Sequence, residues 1–164
     1  MQILNHNKIL QKVRRLAIEI AERNLGEKRI VLLGINNNGL GFAKILLEEL
    51  KSLDLPLELE INHLRLNPAA PLSDPIEIVH PLGEVKSSVF IIVDDVANTG
   101  RTIFYAMRPL MDDLPKKIEV AVLVNREHKR FPVQVDYVGL SLATTLMENI
   151  EVSLKDKDYR AFLN

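Results

Sequence analysis

A chain of 164 residues, 47% apolar and 26% charged, has room for one hydrophobic core and not two, so a single domain over 1–164 is expected. No apolar run nears the roughly 18 to 20 residues that span a bilayer, and a net charge of −1 with a pI near 6.4 gives no bulk attraction to polyanions. With no cysteine and no secretory leader in the opening residues, a cytoplasmic location is expected.

In chain order, Ile9, Val13, Leu16, Ala17 and Ile20 recur at steps of three and four, which predicts an amphipathic helix over about 6–25, closed at Gly26. Residues 29–35, RIVLLGI, are a continuous apolar run, the mark of a strand buried on both faces. NNNG at 36–39 reads as a turn and 40–53 as a second helix. Residues 56–66 alternate as a strand does. The following NPAAPLSDP holds three prolines and can be neither helix nor central strand, so an exposed, mobile loop is expected. IEIVHP (76–81) suggests a short hairpin strand. Further strands are expected at 88–95 (SVFIIVDD), 117–125 (KIEVAVLVN) and 135–142 (VDYVGLSL). Residues 100–113 read as a helix with Ile103, Phe104, Met107 and Met111 on its core face. Strands alternating with helices predict an α/β fold, a largely parallel sheet flanked by helices, with ligands at the carboxyl ends of the strands.

One such end is VFIIVDDVANTGRT, residues 89–102. Asp94 and Asp95 close a buried strand, repel each other and need a metal ion, basic groups or ligand hydroxyls as partners. The turn from Val96 to Thr102 leads into a helix, where backbone N–H groups favour an anion. Gly100 permits close backbone approach, and Thr99 and Thr102 add hydroxyl donors. A diol below and a phosphate above describe a ribose 5-phosphate. A simple helix cap accounts for one Asp and one Thr but not for the whole string. A nucleoside triphosphatase needs a lysine and a hydroxyl that GINNNGLG lacks. A phosphoacceptor receiver would carry its acids on the first strand. No histidine and acid cluster has the spacing of a zinc or iron site.

The string VDDVANTGRT resembles the phosphoribosyl pyrophosphate motif of the type I phosphoribosyltransferases. AIEIAERNLG, VLLGINNNG, EVAVLVNREHKRFPVQVDYVG and the weaker SLATT, in the same order, resemble one branch, the pyrimidine-operon attenuator and uracil phosphoribosyltransferase family. The resemblance implies a three-layer type I phosphoribosyltransferase fold with a flexible loop or hood. It implies transfer of ribose 5-phosphate from phosphoribosyl pyrophosphate to a nucleobase, uracil in that branch, with release of pyrophosphate and with magnesium (Mg2+) bound alongside the substrate. Asp94 and Asp95 would hold the ribose hydroxyls and act catalytically, Val96, Ala97, Asn98, Thr99, Gly100, Arg101 and Thr102 the 5-phosphate, Asn36, Asn37, Asn38 and Gly39 the pyrophosphate. Arg65 matches the catalytic-loop arginine.

The departures carry expectations of their own. Asn36, Asn37 and Asn38 stand where the family has lysine, threonine and arginine, so positive charge facing the leaving group is lost. The loop after Arg65 lacks the family's paired acids, Leu140 replaces a lysine, and His63 could stand in for a lost polar group. Two readings therefore stay open, an active transferase and a nucleotide-sensing regulator of weak activity that binds a nucleoside monophosphate. The family also supplies RNA as a partner, for which Lys8, Lys12, Arg14, Arg15, Arg23, Lys129 and Arg130 are the candidate contacts. Glu19 and Glu22 interrupt that patch, so a solvated helix face is the first reading. A homodimer or higher homo-oligomer is expected by the same analogy.

Overall fold

The computed structural model describes residues 1–143 and 147–164. In chain order the elements are β1 (Gln2–Leu4), α1 (His6–Arg23), β2 (Arg29–Ile35), α2 (Asn36–Ser52), β3 (Glu58–Arg65), β4 (Glu77–Ile78), β5 (Ser88–Ala97), α3 (Arg101–Ala106), β6 (Lys117–Arg126), β7 (Tyr137–Leu142), β8 (Ile150–Ser153) and β9 (Arg160–Leu163). Six strands form the main sheet in the order β4-β3-β2-β5-β6-β7. All neighbours are parallel except β4, which runs against the end of β3. A second sheet, β1-β9-β8, joins the first few residues to the last, and nothing in the sequence pattern announced it. The expected SLATT match at 141–145 runs outside the described residues.

The apolar runs explain the layering. Every residue of β2 is buried and only Val96 of β5 is not fully so, because the sheet is covered on both faces. Ile9, Val13, Leu16, Ala17 and Ile20 of α1 and the apolar stripe of α2 pack on one face, together with Leu4, Ile150 and Ala161 of the small sheet. The other face is covered by Ile103 and Ala106 of α3, by Leu110, and by Leu64, Leu66 and Val85.

Two helices depart from expectation. Residues 36–39 are not a separate turn: α2 begins at Asn36 itself, which takes a left-handed φ of 51°, a conformation Asn reaches more readily than other side chains. The third helix is shorter than 100–113. It ends at Ala106 and continues only as a 3-10 turn over Arg108–Leu110, since Pro109 has no N–H to give the preceding turn. Met111 therefore falls beyond the helix and is 63% exposed. Its expected core role is corrected, whereas Ile103 is buried and Met107 packs against the core.

The basic face of α1 is exposed, as expected, and three of its cations also reach the neighbouring main chain. Lys12 donates to the Gly139 carbonyl at 2.9 Å, Arg15 to those of Val138 and Gly139 at 2.7 and 3.0 Å, and Arg23 to that of Asp136 at 3.2 Å. β7 is the outer strand of the sheet, and these cations satisfy carbonyls that an uncapped edge offers to another chain. Arg14 sits 3.8 Å from Glu49.

At the opposite end of the strands Arg29, 8% exposed, is a staple. Its guanidinium donates to both oxygens of Glu60 at 3.2 and 2.6 Å, to the Ser88 hydroxyl at 2.8 Å, and to the carbonyls of Glu84 and Leu82 at 3.1 and 2.8 Å. One side chain thus pins the irregular segment before β5 to β2 and β3. Arg29→Met is expected to destabilise the fold by about 2 to 3 kcal/mol. That is below the cost of breaking a fully buried pair, because Glu60 is 39% exposed and solvent takes over part of its charge. Urea unfolding of the two proteins measures it.

Candidate active site

The main sheet reverses direction of growth between β2 and β5: the chain crosses from β2 through α2 to β3 on one side, and from β5 through α3 to β6 on the other. A crevice opens at such a switch point, beyond the carboxyl ends of the two strands. β2 and β5 pair in register up to Gly34 and Val93, so Ile35 and Asn36 emerge beside Asp94 and Asp95. The resulting cleft, of about 450 Å³, is walled by Asn36, Asn37, Asn38, Pro68, Asp94, Asp95, Asn98 and Thr102 among others. The first turn of α2 comes very close to β5. A Cβ on Gly39 would lie 2.5 Å from the Val93 carbonyl oxygen, so no other residue fits there.

Asp94 and Asp95 are each 9% exposed and, being consecutive in a strand, send their side chains to opposite faces of the sheet. Asp94 continues the face that carries α3, Asp95 the face that carries α2. The Asp95 N–H donates to Asp94 Oδ1 and the Val96 N–H to Asp95 Oδ1, both at 2.9 Å. Among the described residues no Lys, Arg or His forms an ion pair with either. Burial first, and then the neighbouring Asp95 charge, hold the Asp94 carboxyl well above the ordinary carboxylate range. Burial also raises Asp95, opposed by hydrogen bonds from the Asp94 carboxyl, the Val96 N–H and the Asn38 amide. Burial of the pair thus favours its protonated form.

The loop after β5 forms a cradle of about 50 Å³ lined by Asp94 and by residues from Val96 to Ile103. The N–H groups of Arg130 and Phe131 both donate to the Thr99 carbonyl, at 2.9 and 3.2 Å, which fixes the turn. Gly100 follows with φ of 86°, a left-handed value that a side chain would strain. Among the described residues the N–H groups of Asn98, Thr99, Gly100 and Thr102 donate to nothing. The residues that carry these four N–H groups all line the cradle, and unpartnered backbone donors gathered in this way can attract an anion. With only six residues in α3, its dipole adds little, so the loop amides carry the attraction. The Arg101 side chain turns away and donates to the Pro68 carbonyl at 2.7 Å, tying the proline-rich segment to the cradle.

The three asparagines divide their tasks. Asn36 is committed to the fold: its amide donates to the Leu66 carbonyl at 2.9 Å and its Oδ1 accepts from the Leu66 N–H at 3.1 Å. Asn37 and Asn38 are exposed toward the cleft. No side chain caps this end of α2, so the N–H groups of a 17-residue helix face the same crevice. Arg65 is not beside the aspartates. It lines a neighbouring cavity of about 520 Å³ that shares Asn36 and Asn37 with the cleft and lies 3.8 Å from Glu77, both well exposed. His63 lines that cavity too. Leu140, which stands where the family resemblance implies a lysine, packs half-buried against the core. Lys129 donates to the Asn125 side chain at 2.7 Å and to the Arg126 carbonyl.

The sequence reading missed one wall. Asn37, Asn38, Gly41 and Asp95 face Glu151, Val152, Ser153, Leu154 and Lys155 across a pocket of about 330 Å³, roofed by β8. The only local signal was the alternation of IEVSL, too short to stand alone.

A buried acid pair under an amide cradle, at the switch point of a parallel sheet, is what a sugar-phosphate transferase presents. Residues 1–157 match the family described as phosphoribosyl transferase domain, and the chain belongs to it. Within that family it is 37% identical to the bifunctional protein PyrR of Pediococcus pentosaceus over 96% of this chain and 93% of that one. It is 39% identical to the one of Enterococcus faecalis over 88% and 84%. Among solved structures, hypoxanthine phosphoribosyl transferase from Trypanosoma cruzi superposes with a TM-score of 0.74, 16% identity and coverage of 98% of this chain and 89% of that one. A hypoxanthine phosphoribosyltransferase from Staphylococcus aureus gives 0.71, 16%, 89% and 80%. At that identity the likeness speaks for the fold. No helix among the described residues is long and apolar enough to cross a membrane.

The acid pair sets a pH dependence. Between the ordinary carboxyl value near 3.8 and the raised one of folded Asp94, the folded chain holds a proton that the unfolded chain has lost. Stability therefore falls as pH rises through that window. Asp94→Asn mimics the protonated form and removes the titration. It is expected to be more stable than the parent at about pH 8, with the gap closing toward about pH 4. Chemical unfolding across that range checks the sign.

Proposed function

We propose that this chain binds phosphoribosyl pyrophosphate in the β2/β5 crevice and transfers ribose 5-phosphate to uracil, releasing pyrophosphate. The observation that carries the reading is the convergence of four unpartnered loop N–H groups and two uncompensated buried carboxylates on one crevice. The 5-phosphate sits in the cradle from Val96 to Thr102, held by backbone N–H groups and the hydroxyls of Thr99 and Thr102. The ribose 2- and 3-hydroxyls donate to Asp94 and Asp95, which restores their ionised form. With phosphate and diol fixed, the anomeric carbon faces α2 and β8. The pyrophosphate then lies toward the N–H groups of Asn37, Asn38 and Gly39, and the base in the pocket under Ser153 and Leu154.

As the glycosidic bond lengthens, positive charge grows on the sugar ring. The two carboxylates stabilise that charge more than the neutral ground state, which is what lowers a barrier. Among the described residues no group of three or more His, Cys, Asp or Glu can hold a resident metal. Asp94 and Asp95 are the hard oxygen donors nearest the leaving group, and a magnesium ion bound with the substrate would offset the leaving group's charge. Arg65 would have to leave Glu77 to reach that group.

A second reading has its own observation. The first turn of α2 holds no cation, and the amide of Asn36 is spent on Leu66, so the pyrophosphate end is weaker than the monophosphate end. A chain with that imbalance suits sensing of a uridine nucleotide. RNA contact through Lys12, Arg15 and Arg23 would compete with the capping of β7. A cytoplasmic setting and self-association belong to this proposal as well.

Calorimetric titration with phosphoribosyl pyrophosphate plus magnesium and with uridine monophosphate, followed by a pyrophosphate-release assay with uracil, separates the readings. Binding with release is the transferase, and monophosphate binding without release is the sensor. Asp94→Asn and Asp95→Asn are expected to abolish binding of both ligands, and unchanged affinity in both variants would sink the site. Thr99→Val is expected to weaken either ligand by about 1 to 3 kcal/mol, the worth of one hydrogen bond to a charged group.

A further inference from the structure

The segment from Glu127 to Phe131 leaves β6 and runs beside the cradle. Glu127, His128 and Arg130 are exposed, whereas Lys129 is half-buried. Its ammonium donates to Asn125 Oδ1 at 2.7 Å and to the Arg126 carbonyl, and its own N–H donates to the Glu127 carbonyl at 3.0 Å. The side chain therefore curls back onto the last two residues of β6. Burial foremost, then the Arg126 charge, hold this ammonium below the ordinary lysine value, with Glu127 opposing, as befits a cation drawn away from water.

The curl meets the cradle at several points. Asn125 pairs in register with Ala97, the last residue of β5 before the turn. The aliphatic stem of Lys129 lies against Gly100, where a Cβ would stand 3.3 Å from Lys129 Cδ. The next two N–H groups along the segment, those of Arg130 and Phe131, hold the Thr99 carbonyl at 2.9 and 3.2 Å. The Phe131 ring packs on Phe104 of α3, with centroids 5.5 Å apart. A trans peptide is planar and its N–H points away from its carbonyl. A Thr99 carbonyl held on the side of Arg130 and Phe131 therefore sends the Gly100 N–H to the other side. Glycine takes either sign of φ readily, so without that grip the Thr99–Gly100 plane could turn over and carry its N–H out of the cradle.

We infer that Lys129 is the positioning residue of the phosphate cradle: by fastening the segment after β6 to the end of that strand, it keeps the Arg130 and Phe131 N–H groups on the Thr99 carbonyl and so aims the Gly100 N–H at the phosphate. The inference rests on the reading of the crevice as a sugar-phosphate site. It gives the lysine a task inside the fold rather than at a surface for RNA. It also concerns one end of the crevice only, since no contact of Lys129 reaches Asn37 or Asn38.

The test compares the parent with Lys129→Met and Lys129→Arg. Met keeps most of the stem and removes the ammonium, while Arg restores a cation with donors. Each protein is titrated with uridine monophosphate and, separately, with magnesium pyrophosphate, and hydrogen exchange is followed at the Arg130 and Phe131 amides. The expected result is a roughly tenfold loss of monophosphate affinity in the Met variant and recovery to within about threefold in the Arg variant. Pyrophosphate affinity stays unchanged in both, and the two amides exchange faster in the Met variant alone. Equal monophosphate affinity in the parent and the Met variant, a parallel loss of both ligands, or weaker binding without faster exchange overturns the inference. A parent that does not bind the monophosphate would instead overturn the reading of the crevice. Should the Met variant fail to fold, Asn125→Ala takes its place, since it removes the side-chain acceptor of the ammonium. Weaker monophosphate binding together with faster exchange then supports Lys129, and anything less rejects it.

Discussion

Two carboxylates on consecutive residues of one buried strand, with no cation beside them, are the constraint around which the rest is arranged. Alone they would be expelled or neutralised. They stay because β5 is clamped between β2 and β6 along its length and because apolar layers cover both faces. The strand's alternation then does chemical work: it hands Asp94 to the phosphate cradle and Asp95 to α2 and the small sheet. One acid pair thus lines the cradle, the cleft and the pocket under β8, and on the proposed reading a ligand that satisfies it would be registered against phosphate, leaving group and base at once.

The charges that could have relieved that pair are used elsewhere. Arg29 staples the amino ends of the strands, and Lys12, Arg15 and Arg23 close the open edge at β7. Apart from Lys155 on the wall beyond β8, the crevice would meet an anion mainly with backbone dipoles. Such dipoles suit a single phosphate, whose charge a handful of N–H groups can meet. They suit a pyrophosphate less, because its higher charge is best matched by full cations and bidentate guanidinium groups. The asymmetry between the two ends of the site follows from where the cations were placed.

Much of this was legible in the residues. The buried strands β2, β5 and β6 appeared as apolar runs, α1 as a stripe of five residues, and the acid pair with its turn as a cluster at the exit of a buried strand. The failures share a cause. The small sheet joins β1 to β9 across almost the whole chain, and strands of three or four residues have no period long enough to read. Met111 was assigned by helical spacing to a helix that Pro109 cuts short. The asparagines at 36–38 looked like a turn because propensity favours one, yet a left-handed first residue lets the helix begin at once. The basic stripe of α1 was read by charge, and only its partners, the carbonyls of an edge strand, reveal what it does.

That last point bears on how a crevice of this kind can change its function without losing its fold. The parts that hold the sheet together, Arg29 and the α1 cations, lie outside the contacts that a leaving group would make. The parts that would meet a leaving group, Asn37, Asn38 and the segment after Arg65, contribute little to the core. Charge can therefore be removed from the pyrophosphate end at small cost to stability, while the acid pair and the amide cradle, which are built into β5 and its exit, remain. On the proposed reading, a monophosphate site would be the part of this architecture that is hardest to lose, because the same residues that would form it also end the central strand.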